Sequence, residues 1–254
     1  MTSLLGKKGL VVGIANEHSL AYGCARAFRA AGADLAVTYL NAKAEPYVRP
    51  LAEKLESPII APCDVTAEGQ LDAVFDQIRE KWGRLDFILH SIAFAKADDL
   101  HGRIIDCSAE GFAFAMDVSV HSFLRMAKLS EPLMDNGGTM LAMSYYGAEK
   151  AVPHYNIMGP VKAALEAAVR YMSVELGEKQ IRVNALSPGP VKTRAASGIS
   201  DFSELMEHAT KVAPEHRLVT PDDVGGFAAF LVSDAARSVT GNIAFIDAGY
   251  HVTG

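Results

Sequence analysis

Residues 9–23 of the chain read GLVVGIANEHSLAYG, and this stretch decides the fold. The aliphatic run Gly9–Val12 leads through Gly13 and a short polar turn into Leu20–Ala31, which has the apolar spacing of a helix. A short strand that passes through a glycine into a helix is typical of the first half of a βαβ unit. We therefore predict a strand, a tight turn and a helix here.

The same alternation of short apolar runs and longer helical stretches continues along the sequence. We predict strands at Gly9–Val12, Leu35–Tyr39, Ile59–Pro62, Phe87–Ser91, Thr139–Met143, Arg182–Leu186 and Ile243–Asp247. We predict helices at Leu20–Ala31, Ala44–Leu55, Glu68–Lys81, Gly111–Ser130, Ile157–Leu176 and Pro221–Leu231. Because the strands are apolar on both faces and alternate with helices, we expect one α/β domain over residues 1–254. It would be a doubly wound, Rossmann-like parallel sheet of about seven strands with helices on both faces.

Composition excludes several classes of protein. The 254 residues are 50% hydrophobic and 21% charged, which suits a globular core and not a disordered chain. The net charge is −6 and no basic block appears, so we expect no nucleic-acid partner. No apolar run approaches the roughly 18–20 residues of a membrane span. Residues 1–9 lack a signal-peptide pattern, so we expect a cytoplasmic protein without a membrane partner.

The cysteines give no sign of a metal centre. Cys24, Cys63 and Cys107 are widely spaced and form no CxxC pair. This pattern argues against a disulfide framework and a structural zinc site, and it fits a reducing compartment. We therefore expect no metal ligands in this chain.

The residues that follow each strand are the candidate ligand contacts, because a doubly wound sheet binds ligands beyond the carboxyl ends of its strands. Gly13 permits a tight turn, and the N–H groups at the start of the next helix favour an anion such as a pyrophosphate. The small side chain of Ser19 lets a ligand approach the backbone, although an ordinary helix N-cap accounts for this serine equally well. The segment has no GxGxxG pattern.

The ends of the second and third strands bear on the type of dinucleotide. An acidic residue after the second strand would hold the ribose of NAD, and a basic one would meet the extra phosphate of NADP. Leu40 and Asn41 are neither, and the absence of a basic residue favours NAD(H) over NADP(H). After the third strand, Asp64 and Val65 could bracket an adenine. Asp64 could also cap the next helix, and the two roles are compatible.

Tyr155, Met158 and Lys162 follow the fifth predicted strand. Seven helical residues make about two turns, so the spacing predicts Tyr155 and Lys162 on one helix face within roughly 20°. A phenol can give a proton or a hydrogen bond to a developing oxyanion, and a nearby ammonium can hold cofactor hydroxyls. Two unrelated surface residues are the alternative, but the neighbouring strand ends at Ser144–Gly147 and Ser187–Thr193 converge on the same crevice.

Several segments together resemble one family over essentially the whole chain. They are Tyr155-x2-Met158-x3-Lys162, Gly13-x5-Ser19-x-Ala21, His90–Ala95, Ser144-Tyr145, Arg182–Thr193 and Ala195–Ile199. This set is similar to the enoyl-acyl carrier protein reductases of bacterial fatty-acid synthesis, a branch of the short-chain dehydrogenase/reductase superfamily. The usual superfamily pair, Tyr-x3-Lys, fails here because Gly159 is the fourth residue after Tyr155, which argues against an alcohol or 3-oxoacyl dehydrogenase.

The resemblance implies hydride transfer from a reduced nicotinamide to C3 of a trans-2-enoyl thioester. It implies that Tyr155 stabilises the enolate oxygen, that Lys162 binds the nicotinamide ribose, and that Tyr145 lines the substrate site and assists positioning or protonation. The implied NAD contacts are Gly13, Ser19, Leu20, Leu40, Asp64, Val65, Ile92, Lys162, Val191, Lys192, Thr193, Arg194 and Ala195. The implied acyl contacts are Ala95, Tyr145, Met158, Ala196, Ile199, Phe202 and Met206, the last four in a substrate lid around residues 191–210. An ordinary surface helix is the alternative for Phe202–Met206.

The sequence departs from the family at two places. The family often has Gln after the second strand when it uses NADH, whereas Leu40 stands here. Its lid usually presents basic residues to the acidic carrier protein, whereas this lid has Ser200, Ser203 and Glu204, with Lys192, Arg194 and Lys211 nearby. Electrostatic steering of a carrier protein is weaker without a basic patch. The alternatives are a reductase of an enoyl-coenzyme A or another enone, and a non-catalytic nucleotide-binding paralogue.

The resemblance also implies a homotetramer. The family assembles through the two long helices that match Gly111–Ser130 and Ile157–Leu176, together with the C-terminal strand. Ala168, Tyr171 and Met172 could serve such contacts, and burial in the core of the chain is the alternative for them.

Overall fold

The computed structural model describes residues 3–193 and 202–253. The strands are β1 Lys8–Val12, β2 Asp34–Tyr39, β3 Ile59–Pro62, β4 Phe87–His90, β5 Gly138–Met143, β6 Ile181–Pro188 and β7 Ile243–Ile246. They pair in parallel in one seven-stranded sheet, in the order β3-β2-β1-β4-β5-β6-β7. The predicted doubly wound α/β fold is confirmed, and every predicted strand is present with its ends nearly in place.

The helices alternate with these strands. They are α1 Leu20–Ala30, α2 Glu45–Lys54, α3 Gln70–Trp82, α4 Ala97–Leu100, α5 Ala109–Met116, α6 Ser122–Ser130, α7 Met158–Glu175, α8 Phe202–Val212 and α9 Pro221–Val232. The short α4 was not predicted, because four residues are too few for a periodic pattern. The helix α8 falls in the segment that was predicted as a lid, with a surface helix as the alternative.

The predicted helix Gly111–Ser130 is not continuous. A π-helical turn at Asp117–His121 separates α5 from α6. The hydroxyl of Ser122 donates to the carbonyl of Val118 at 2.6 Å, and His90 Nε2 lies 2.7 Å from the same hydroxyl. A side chain that bonds to a helix carbonyl in this way competes with the helix ladder, and these hydrogen bonds lie at the wider turn.

The core fills both faces of the sheet. On one face, α1, α2 and α9 cover the strands, and Phe28 of α1 meets Phe87 of β4 edge to face with the ring centroids 4.8 Å apart. On the other face, α3, α6 and α7 pack over side chains such as Phe75, Phe123 and Leu165, all fully buried. Because helices cover both faces of the sheet, the sequences of its strands are continuous apolar runs.

Within the described ranges, none of the helices has both the length and the apolar composition that a bilayer crossing requires.

Candidate active site

The strand order reverses between β1 and β4. In a doubly wound sheet the ligand crevice lies beyond the carboxyl ends of the strands at this switch point, and we call the space beyond these strand ends the crevice. Gly13, the residue after β1, has a φ of 117°, and a Cβ built on it would lie 2.1 Å from the carbonyl oxygen of Ser91. Ser91 in turn donates its N–H to the carbonyl of Val12 at 2.9 Å. Only glycine meets both the steric and the conformational demand at position 13.

Ser19 stands at the N-cap position of α1, but its side chain does not cap the helix. Its hydroxyl oxygen accepts hydrogen bonds from the N–H groups of Ala15 and Asn16, both at 3.0 Å. The N-cap interpretation is therefore right about the position of Ser19 but not about a capping hydrogen bond of its side chain. Ser19 folds the β1–α1 turn back on itself, and the first N–H groups of α1, at Leu20 and Ala21, have no acceptor within the helix. These groups can receive an anion.

The ends of β2 and β3 lie next along the crevice. The side chain of Leu40, the residue after β2, is 53% exposed. Asp64 accepts from the N–H of Thr66 at 2.9 Å and from its hydroxyl at 2.7 Å, whereas α3 begins only at Gln70. The prediction that Asp64 caps the next helix was therefore wrong; it stabilises a local turn instead.

The other predicted cofactor contacts differ in exposure. Val65 is buried and Ile92 is half-buried. In the segment after β6, Val191 and Thr193 are half-buried and Lys192 is exposed. The predicted contacts Arg194 and Ala195 lie outside the described residues.

Two tyrosines form the wall of the crevice beyond β5. The rings of Tyr145 and Tyr155 meet edge to face, with their centroids 4.8 Å apart. Gly147 makes room for this pair, since a Cβ there would lie 2.4 Å from Cδ1 of Tyr155. The hydroxyl of Tyr145 is buried and has no hydrogen-bond partner among the described residues. Burial raises the pKa of both phenols well above the ordinary value, so both are neutral at physiological pH.

Tyr155 does not lie on the helix that carries Lys162, contrary to the prediction from spacing. The helix α7 begins at Met158, and Asn156 has a φ of 41°, in the left-handed region. The side-chain amide of Asn156 donates to the carbonyls of Leu100 and Gly102 at 2.7 and 2.8 Å, which holds the turn in this conformation. Tyr155 is thus presented from a braced turn and not from a helix face.

Lys162 is almost fully buried, with 4% of its surface exposed. Its ammonium donates to the carbonyl of Met143, the last residue of β5, at 2.6 Å. Burial lowers the pKa of this lysine to about 8, and the negative charge of Glu166 opposes that shift. The ammonium is therefore fixed at the strand end from which Tyr145 emerges two residues later.

Two buried polar residues beside Lys162 were not assigned a role from the sequence. Glu166, one helical turn after Lys162, accepts a hydrogen bond from the hydroxyl of Ser144 at 2.5 Å. His90, at the end of β4, is fully buried, and burial lowers its pKa to about 3, with a further contribution from the charge of Lys162. The signal available in the sequence was a glutamate four residues after Lys162, among the apolar residues Val161, Leu165 and Val169.

The predicted acyl contacts are placed less completely. Ala95 and Met158 are buried beside the same core, whereas Phe202 and Met206 are half-buried on α8. The helix α8 packs through Ala209, and the ring of His208 meets that of Tyr250 edge to face at a centroid distance of 6.3 Å. Tyr250 in turn contacts Tyr146 at 5.6 Å, which connects α8 to the loop after β5. The predicted contacts Ala196 and Ile199 lie outside the described residues.

Comparison with known proteins finds related sequences over essentially the whole chain. The model of the family described as enoyl-(acyl carrier protein) reductase matches residues 13–251. The enoyl-acyl-carrier-protein reductase (NADH) 1 of Rhizobium meliloti is 47% identical over 249 residues, which cover 98% of this chain and 92% of that protein.

Solved structures give the same result. The enoyl-acyl carrier protein reductase of Anaplasma phagocytophilum, in complex with NAD, has a TM-score of 0.96 and 49% identity, covering 100% of this chain and 97% of that one. The Bacillus cereus enoyl-acyl carrier protein reductase, with NADP+ and an indole naphthyridinone, has a TM-score of 0.97 and 42% identity, with complete coverage of both chains. The chain therefore belongs to the enoyl-acyl carrier protein reductase family.

Proposed function

We propose that this chain is an NADH-dependent enoyl-acyl carrier protein reductase that reduces the C2–C3 double bond of a trans-2-enoyl thioester. The observation that carries the proposal is the arrangement at the end of β5. There the neutral phenols of Tyr145 and Tyr155 are in ring contact, and the ammonium of Lys162 is fixed to the last carbonyl of the same strand. A ketone or alcohol reaction of the superfamily would use a lysine four residues after the tyrosine, where Gly159 stands.

The residues at the switch point fit a dinucleotide. The N–H groups of Leu20 and Ala21 suit a pyrophosphate. The lack of a Cβ at Gly13 lets the turn after β1 pack against Ser91, the residue after β4. Lys162 keeps two ammonium hydrogens beyond the one given to Met143, and these would hold the hydroxyls of the nicotinamide ribose. When bound, NADH supplies the hydride that reaches C3 of the enoyl group.

The side chains of the protein act on the thioester oxygen. Charge develops on that oxygen as the conjugated double bond is reduced, and a donor aimed at it lowers the barrier. Tyr155 donates its hydroxyl hydrogen to this oxygen, because its raised pKa keeps the phenol protonated. Tyr145, whose buried hydroxyl has no partner in the described part of the chain, positions the same thioester or assists protonation at the α carbon.

The cofactor is NADH in preference to NADPH. Neither Leu40 nor Asn41 carries the positive charge that would meet a 2′-phosphate. The relatives in Rhizobium meliloti and Anaplasma phagocytophilum are named for NADH or contain NAD, whereas the Bacillus cereus structure contains NADP+. Leu40 is therefore the position at which we expect the choice between the cofactors to be tunable.

The acyl carrier protein is the proposed form in which the thioester arrives. The first turn of α8 carries Glu204, while Lys211 lies in its last turn and Lys192 is exposed after β6. These two lysines are the groups that would meet an acidic partner. We propose that residues 191–210 form the lid over the substrate. We also propose that the enzyme is a single domain and cytoplasmic. Comparison of a carrier-bound enoyl thioester with the coenzyme A thioester of the same acyl group tests this point.

A homotetramer is the proposed assembly. Tyr171 and Val174 on α7 are 74% and 79% exposed, and Phe112 and Leu124 are 44% and 38% exposed on α5 and α6. The strand β7 is the last strand of the sheet, and an open depression of about 640 Å³ beside it is lined by Phe227 and Phe230 of α9. Exposed apolar faces of this kind mark contacts between subunits. Met172 is buried and belongs to the core of the chain, and Ala168 is half-buried against that core. Native mass spectrometry tests the assembly.

The activity is tested by mixing the protein with NADH and a dodecenoyl thioester and following the loss of NADH absorbance. We expect turnover of the enoyl thioester and none of a 3-oxoacyl thioester or an alcohol. Cofactor binding without turnover of any thioester would identify a non-catalytic nucleotide-binding protein. Turnover of ketones alone would contradict the proposal.

A further inference from the structure

Behind Lys162 lies a buried carboxylate that has no direct part in the reaction proposed above. Glu166 has 4% of its surface exposed, and Ser144 has 3%. A buried carboxylate costs free energy unless it is hydrogen-bonded or balanced by a positive charge. Glu166 and Lys162 are the two charged residues on the buried face of α7, whose other buried residues are apolar, so the presence of the carboxylate calls for a role.

The hydrogen bonds of Glu166 connect two elements of the site. Glu166 lies four residues after Lys162 on α7, and its carboxylate accepts from the hydroxyl of Ser144 at 2.5 Å. Ser144 follows directly on β5, and its N–H donates to the carbonyl of Leu186 in β6 at 2.7 Å. The next residue is Tyr145. Glu166 thus joins the helix that carries Lys162 to the strand end that carries the first tyrosine.

The charges around Glu166 indicate which neighbour it serves. Lys162 and Arg170 lie on the same helix, and Glu149 faces it from the loop after β5. His90 lies within the electrostatic influence of Lys162, and Tyr155 within that of Glu166; both are neutral at physiological pH. Arg170 is exposed, and Lys162 is buried, so the attraction between Glu166 and Lys162 is the one that solvent screens least.

We propose that Glu166 is a positioning residue whose carboxylate keeps the buried Lys162 ammonium charged for cofactor binding and anchors the strand end that bears Tyr145. The inference rests on the proposed function, because cofactor binding gives the charge of Lys162 its purpose. The effect of Glu166 on the ionisation of Lys162 can be measured without cofactor. Glu166 raises the pKa of Lys162 against the larger, lowering effect of burial, which leaves that pKa at about 8. Loss of the carboxylate charge would lower it further, so Lys162 would lose its proton closer to neutral pH.

Glu166→Gln is the direct test, because glutamine keeps the size of the side chain and an acceptor for Ser144 while removing the charge. The dissociation constant of NADH is measured by fluorescence from about pH 6 to pH 9. In the unmodified chain we expect NADH affinity to fall through a midpoint near pH 8. In Glu166→Gln we expect the midpoint about one pH unit lower. The variant's affinity should then be about threefold below that of the unmodified chain halfway between the two midpoints, and about tenfold below it well above pH 8. Glu175→Gln, an exposed glutamate at the end of the same helix, is the matched control and leaves the midpoint unchanged.

A second variant separates the charge from the fold. Burial raises the pKa of Glu166, and the hydrogen bond from Ser144 opposes that shift, so Ser144→Ala makes Glu166 harder to ionise without removing it. We expect a smaller shift of the Lys162 midpoint in the same direction as in Glu166→Gln. An unchanged midpoint in Glu166→Gln, or a shift to higher pH in either variant, would overturn the proposal.

A readout without cofactor distinguishes failure of this inference from failure of the proposed function. The unfolding free energy is measured against pH in chains with Lys162 and with Lys162→Met, each with Glu166 or Gln at position 166. The difference within each pair reports the ionisation of Lys162. If the midpoint of Lys162 ionisation is lower with Gln at position 166 than with Glu, and the chain has no enoyl reductase activity, the proposed function fails and the role of Glu166 stands. If the two midpoints coincide in an active enzyme, only the role of Glu166 fails.

Discussion

The ring of Tyr145 packs edge to face against the ring of Tyr155, with the two centroids 4.8 Å apart, although the two tyrosines belong to different loops. Tyr145 follows β5 directly, and Tyr155 is held in the turn before α7. Both rings are largely buried, so each limits the rotation of the other. The pair presents two phenols as one rigid surface.

Replacement of Tyr155 by Phe tests the role of its hydroxyl. The variant keeps the ring contact with Tyr145 but loses the donor to the thioester oxygen, so we expect kcat to fall on the order of 10²-fold. NADH affinity should change less than about twofold, because the phenol acts on charge that develops during the reaction. Steady-state kinetics and NADH titration measure the two effects. Tyr171→Phe, at an exposed tyrosine of α7, is the control, and equal activity of the Tyr155 variant and this control would refute the role.

Gly13→Ala tests the close approach of β1 and β4. A Cβ at this residue would lie 2.1 Å from the carbonyl oxygen of Ser91, and the φ of 117° is unfavourable for alanine. We expect a loss of unfolding free energy of at least about 1–3 kcal/mol, measured by urea denaturation, together with loss of NADH binding. Gly177→Ala has open space around its Cβ and should change stability by less than about 0.5 kcal/mol. A Gly13→Ala chain as stable as Gly177→Ala would contradict the structure at this turn.

Leu40→Arg tests how the end of β2 selects the cofactor. The side chain at this position is 53% exposed beside the crevice, and a guanidinium there would meet the 2′-phosphate of NADPH. We expect the ratio of kcat/KM for NADPH to that for NADH to rise by at least about fivefold, the effect of about 1 kcal/mol. Leu40→Gln should leave that ratio unchanged or lower it. Leu5→Arg, at an exposed leucine before β1, is the control for an added arginine far from the carboxyl ends of the strands. If the NADPH-to-NADH ratio of kcat/KM is unchanged in Leu40→Arg, position 40 does not select the cofactor.

Lys162 gives the stability of the protein a specific dependence on pH. Burial lowers its pKa from 10.5 to about 8, so between these values the folded protein has lost a proton that the unfolded chain retains. Stability contributed by this group therefore rises with pH across that interval, by up to about 3 kcal/mol. The difference in unfolding free energy between the unmodified chain and Lys162→Met isolates the effect from the tyrosines, which titrate in both. A difference that is constant from about pH 8 to pH 10 would show that the ammonium is not desolvated.

The fold could be predicted from the sequence because its determinants are local. A strand buried on both faces must be apolar along its whole length, and runs such as Gly9–Val12 and Phe87–Ser91 show this directly. The break at Asp117–His121 could not be predicted in this way, because the hydrogen bonds at this turn join Ser122 both to its own helix and to His90, a residue of another element.

The candidate site was predictable in its residue types and less so in its geometry. The spacing of Tyr155 and Lys162 suggested a shared helix face, but Asn156 turns the chain with a positive φ that side-chain bonds to Leu100 and Gly102 support. In the sequence, Glu166 looks like an ordinary charged residue of a helix. Its burial and its hydrogen bond to Ser144 depend on the packing of α7 against the end of β5. Long-range pairing of this kind leaves no periodic signal.

The hydrogen bond from Lys162 to Met143 lowers the entropic cost of binding a ligand at this site. A lysine side chain loses roughly 2 kcal/mol of rotamer entropy when it is fixed in one conformation. Here that ordering takes place as the protein folds, since the ammonium already rests on the strand end. The arriving dinucleotide therefore meets a preorganised cation, and its association is relieved of a cost that a surface lysine would impose.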